Sequence, residues 1–168
     1  MAAAFLVIFL ALSVIFLPPA NAQAALGCGP ANTKFDVTMK YPAAPAPTPT
    51  AGKALVVFIQ DDYQFGAIGR PTTRFGIDGT WMGATHANSY FYVSIDPGEH
   101  HVCASWQSRE SERSTGVLHF SAAAGKSYYF RARDVARVAP ELVLSRLDSD
   151  EAKLILQPFS LSSSHPKK

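Results

Sequence analysis

The pair His100-His101 is the first place in the chain where side-chain chemistry could concentrate, because imidazole serves as a base near neutral pH and as a metal ligand. Neighbouring residues on a strand point to opposite faces, so the two rings cannot grip one ion. His100 sides with Val102 and Ala104, and His101 with Cys103. A metal site would need His86 or His119 brought in from another strand. The chain has no His-Glu-x-x-His, no Cys-x-x-Cys and no acidic calcium loop. The reading is therefore no metal and no cofactor, with His100 packed beside the Pro97-Gly98 turn.

Nucleophilic chemistry has less to stand on. Gly-x-Ser-x-Gly is absent, and Ser105, Ser108, Ser111 and Ser114 sit in a strand end and a polar loop with no base nearby in sequence. Cys103 offers a thiol only if nothing pairs with it. Asp61-Asp62 could be an acid and a base, yet they more simply open a turn after an apolar run. No catalytic residue is assigned, and a hydrolase or metal-binding protein stays as an alternative.

Binding groups are more numerous. Tyr90 and Tyr92 share one strand face, and Phe91, Val93 and Ile95 the other. A sandwich strand buries its more hydrophobic face, which leaves the two tyrosines at least partly outside. With Trp81 they would present flat rings to a glycan or a protein partner. Tyr129, Arg131 and Arg133 share a second face, with Arg137, Arg109 and Arg113 nearby in sequence. Such guanidinium groups suit anionic envelope polymers or headgroups, or simply a solvated strand face.

The elements that must position these groups follow from composition. In 168 residues the net charge is +2, 48% of residues are hydrophobic and 17% charged, which describes one globular domain and argues against nucleic acid as a partner. Residues 1–22 contain no charged side chain, and 18 of them are apolar. The run stops at Pro18-Pro19, and Ala20-Asn21-Ala22 supplies the small residues of a cleavage site, so 1–22 is expected to be a signal peptide and the mature chain exported, periplasmic or extracellular. Two cysteines in an exported chain predict a Cys28 to Cys103 disulfide, which chain entropy credits with roughly 4 to 5 kcal/mol at this loop length. Ala25-Leu26-Gly27-Cys28 also has the look of a lipid-modified cysteine. The membrane therefore enters only through a retained leader or a lipidated Cys28.

Residues 23–51 read as an N-terminal segment with a short strand at Phe35 to Met39 and a linker carrying Pro42, Pro45, Pro47 and Pro49. A domain over 52–157 follows. Ala54 to Ile59 is continuously apolar, the mark of a central strand covered on both faces. Asp78-Gly79 and Asp96-Pro97-Gly98 supply turns between later strands. Asp148 to Leu156 places acids at the start of a helical pattern. Residues 158–168 are polar and expected to fray.

Lys53 to Ile59, Phe75-Gly76-Ile77-Asp78-Gly79, Ser89 to Val93 with Pro97-Gly98-Glu99-His100, and Ala124 to Phe130 together resemble the bacterial family catalogued as domain of unknown function 2846, with PEGA-like features around the Gly-x-His stretch. The resemblance implies a small exported β-sandwich of the bacterial cell envelope and carries no activity. The expected fold is all-β: an antiparallel sandwich of immunoglobulin or transthyretin type, with about seven strands and one short C-terminal helix. The expected function is a non-enzymatic module contacting an envelope protein or polysaccharide, with a carbohydrate-binding module using exposed aromatics as the alternative.

Overall fold

A computed structural model describes residues 28–43, 46–62, 70–108, 115–135 and 141–168. The leader and the small-residue approach to Cys28 lie outside these residues. Among the described residues ten strands and one helix follow in chain order: β1 (Phe35–Lys40), β2 (Ala54–Gln60), β3 (Thr72–Ile77), β4 (Thr80–His86), β5 (Ser89–Ile95), β6 (Gly98–Trp106), β7 (Thr115–Ala122), β8 (Ser127–Val135), β9 (Glu141–Leu147), α1 (Ser149–Leu156) and β10 (Ser160–Pro166). They form a six-stranded sheet, β1-β10-β5-β2-β8-β9, and a four-stranded sheet, β4-β3-β6-β7. The architecture is an all-β sandwich. It has more strands than the expected seven, and two of its pairings, β2 with β8 and β10 with β5, are parallel.

β2 is the spine because every one of its seven residues is buried. Ala54, Val56 and Phe58 face the core between the sheets, where the Phe58 ring lies 4.9 Å from Phe75 and 5.2 Å from Phe91. Leu55, Val57 and Ile59 face a second cluster on the outer side of the large sheet, with Tyr90, Tyr129, Leu147, Ala152 and Phe159. Each fully buried aliphatic or aromatic side chain is worth roughly 2 kcal/mol, so a strand loaded on both faces anchors two layers at once. The continuous apolar run is the sequence trace of this position.

The outer cluster is closed by α1 and by the proline segment. Asp148 caps α1, its carboxylate accepting from the main-chain N–H groups of Asp150 and Glu151 at 2.9 Å. Ala43 and Ala46 pack against the cluster, so the segment expected to be a linker is a cover for the sheet.

The C-terminal stretch does not fray. Ser160–Pro166 forms β10, paired antiparallel with β1 and parallel with β5. Its inward positions are serines: the Ser162 hydroxyl lies 2.7 Å from that of Ser89, and Ser164 Oγ accepts from the Ala84 N–H at 3.0 Å. Small hydroxyls satisfied by hydrogen bonds replace apolar side chains on the buried face, which hides the strand from a hydrophobicity pattern.

Residues 28–34 lie as a strap on the four-stranded sheet. The Cys28–Cys103 disulfide ties one end, and a thiol so tied is not available to lipid. The Arg74 guanidinium donates to the carbonyls of Ala31 at 2.9 Å and Thr33 at 2.7 Å, and Trp81 Nε1–H donates to the carbonyl of Pro30 at 2.9 Å. At the other end Phe35 N–H donates to Gln107 Oε1 and the Gln107 amide returns a bond to the Phe35 carbonyl. Gly76 sits beneath, where any Cβ would collide with the Cys28 carbonyl oxygen.

Candidate binding groove

Tyr90 on β5 stands across from Ile59 of β2, and Tyr129 on β8 beside Val57 of the same strand. The two tyrosines thus flank the spine on its outer side. They floor a cavity of about 480 Å³ whose walls are Ala43 and Ala46 of the proline segment on one side and Lys153, Leu156 and Gln157 at the end of α1 on the other. This volume lies within the range of small-ligand sites. The phenol of Tyr90 is pushed above its ordinary pKa by burial and then by neighbouring Tyr92, so it stays a neutral hydrogen-bonding group at physiological pH. Lys153 supplies a cation at the rim, 3.7 Å from Asp150.

The arrangement of the expected binding residues differs from the expectation. Tyr90 is 2% exposed and Tyr129 9%, because α1 and the proline segment cover a sheet face that would otherwise be open. Tyr92 remains exposed. Trp81 is on the other sheet, where its ring receives Arg74 at 4.4 Å and its N–H holds the strap. Trp81, Tyr90 and Tyr92 therefore form no common aromatic platform, and the glycan reading built on that platform is corrected. Tyr90 and Tyr129, on separate strands that the sequence pattern does not relate, come together in the groove.

Arg131 and Arg133 do share the Tyr129 side of β8, as expected, but each is engaged. Arg133 donates to Asp61 Oδ2 through Nε at 3.2 Å and Nη2 at 2.5 Å. Arg131 lies 3.8 Å from Asp61 and 3.2 Å from Glu151 of α1. These pairs bind β8 to the end of β2 and to the helix that walls the groove. Arg109, Arg113 and Arg137 lie outside the described residues.

Sequence reasoning took Asp61-Asp62 for the opening of a turn and missed that Asp62 belongs to a buried polar centre at the end of β2. Asp62 is fully buried and its pKa is pushed up to about 7, by burial first and then by the charge of Asp134, against the hydrogen bond from Gln60. Burial also raises Asp134, although Trp106 Nε1–H donates to its Oδ1 at 2.6 Å. Among the described residues, Asp62 Oδ1 and Asp134 Oδ2 have no hydrogen-bond partner. The signal was present in β8: Phe130, Ala132 and Asp134 alternate onto the core face.

His100 is held where the turn reading put it, with Nδ1 2.6 Å from Asp78 Oδ2 and Nε2 2.9 Å from the Asp96 carbonyl. Burial works against its protonation, but the bonds to Asp78 and Asp96 win and raise its pKa. Ser105 is buried, its hydroxyl accepting from Thr115. Among the described residues no three His, Cys, Asp or Glu side chains stand together as a metal-binding group, and no helix is long and apolar enough to cross a membrane.

Comparison with known proteins gives one family. The family described as "Protein of unknown function (DUF2846)" matches residues 50–141, from the end of the proline segment to the start of β9. No curated protein and no solved structure matches the chain.

Proposed function

The chain belongs to the DUF2846 family, whose description assigns no activity, and we propose that it is a non-enzymatic, exported binding module of the cell envelope that works through the groove over Tyr90 and Tyr129. The carrying observation is the groove itself: two tyrosines on strands that flank the buried spine, apolar walls from Ala43, Ala46 and Leu156, and Lys153 and Gln157 as the polar groups of the walls. Such a site accepts an apolar body and orients it by a polar or anionic end at Lys153. Export is supported by the apolar leader sequence and by the Cys28–Cys103 disulfide, which persists in an oxidising compartment. The partner is an envelope protein presenting that chemistry.

Nuclear magnetic resonance of the mature chain titrated with solubilised envelope components tests this. Shifts are expected at Tyr90, Tyr129 and Leu156 and are abolished in a folded Leu156→Arg variant. Shifts confined to the four-stranded sheet, or unchanged in the variant, contradict it.

A further inference from the structure

β6 and β7 pair so that His101 stands directly opposite His119 and Glu99 opposite Ser121. On β6, Val102 and Ala104 join the inter-sheet core, which turns Glu99, His101 and Cys103 to the other side of the sheet. The second histidine that His101 lacks on its own strand is thus delivered by register from the next. The two ring centroids are 4.9 Å apart with planes at 53°, and both residues are exposed.

Two further contacts prepare the pair. His119 Nε2 lies 2.9 Å from Glu99 Oε2, so the carboxylate accepts from Nε2–H and Nδ1 is left as the ring's lone-pair nitrogen. The main chain of His101 is fixed on both sides by Asp78: its N–H donates to Asp78 Oδ1 at 2.8 Å, and its carbonyl accepts from the Asp78 N–H at 3.0 Å. A histidine whose second nitrogen is held by a carboxylate is the common outer support of a metal-bound imidazole. Directly opposed strand positions have Cβ atoms about 5 Å apart, and metal–nitrogen bonds near 2.0 Å are reached from there by side-chain torsion alone.

We propose that His101 and His119 form an exchangeable two-imidazole site for a divalent transition-metal ion of borderline softness, Cu²⁺ or Zn²⁺, with Glu99 as the positioning residue and water completing the coordination. Imidazole suits these ions, and Cu²⁺ binds ahead of Zn²⁺ in the general order of divalent affinities. With two protein ligands the ion is acquired and released at the surface and is not a structural staple. The inference stands apart from the groove, which lies on the other sheet.

Isothermal titration of the disulfide-bonded mature chain with Cu²⁺ and with Zn²⁺ at neutral pH, in a non-chelating buffer, tests it. One equivalent is expected to bind. His101→Ala or His119→Ala should weaken binding at least tenfold, Glu99→Gln several-fold, and His86→Ala not at all. In parallel, substoichiometric Cu²⁺ should broaden the ring resonances of His101 and His119 in the wild-type protein before those of His86 and His165. No binding, unweakened binding by His101→Ala or His119→Ala, or broadening centred elsewhere overturns the proposal.

Discussion

The Arg74 guanidinium stacks 4.4 Å from the centre of the Trp81 ring while donating to the carbonyls of Ala31 and Thr33. One buried side chain thereby joins two strands of the small sheet to the strap that follows Cys28. Replacing it by Met strands two carbonyls and removes the ring contact, so Arg74→Met is expected to cost about 3 kcal/mol in urea unfolding. Arg74→Lys should recover only part of this, because an ammonium can bond to the carbonyls but lacks the flat guanidinium that stacks on Trp81.

Gly76 matters to the same strap through space. Its missing side chain admits the Cys28 carbonyl, with Cys103 Sγ 3.3 Å from where a Cβ would stand. Gly76→Val should keep Cys28 from Cys103, and thiol titration of the purified variant should count two free thiols where the native chain has none. Loss of the cross-link is expected to cost about 2 to 5 kcal/mol.

Stability should fall as pH rises from 4 to 7. The Asp62 carboxyl titrates at about 7 when folded and near 3.9 when unfolded. The folded chain therefore holds that proton more tightly. Its contribution is complete below the unfolded value, drains away through the interval and is gone above the folded value, a swing on the order of 4 kcal/mol. Asp134 is raised by burial and acts in the same direction. Denaturant unfolding at pH 5 and pH 8 should show the drop, and Asp62→Asn should flatten it while making the protein more stable at pH 8.

Asp148→Ala removes the cap of α1, whose carboxylate holds two main-chain N–H groups. A lowered midpoint in urea unfolding is expected. Amide exchange should rise first at Asp150 and Glu151.

What could be read from the sequence was what local chemistry dictates. The unbroken apolar run of β2, the positive φ angles at Asp78 and Gly79 of 49° and 79°, the acids in the first turn of α1 and the cysteine pairing all stand as expected. What escaped depends on partners distant in the chain. Tyr90 looked outward by alternation, and it does face away from the inter-sheet core, but the covers supplied by Ala43, Ala46 and α1 bury it. β10 escaped because serines fill its inward positions. Sequence left His86 and His119 as equal candidates to stand beside His101, and only the register of β6 against β7 puts His119 there.

The central claim is that the Tyr90–Tyr129 groove is the surface through which this module holds its envelope partner. Photocrosslinking in intact cells tests it most directly, with the reactive group placed at exposed Gln157 on the groove wall or at exposed Val117 on the opposite sheet. A discrete adduct from position 157, absent from 117 and lost when Leu156→Arg is added, is the predicted result. Equal adducts from both positions, or one from 117 alone, would contradict it.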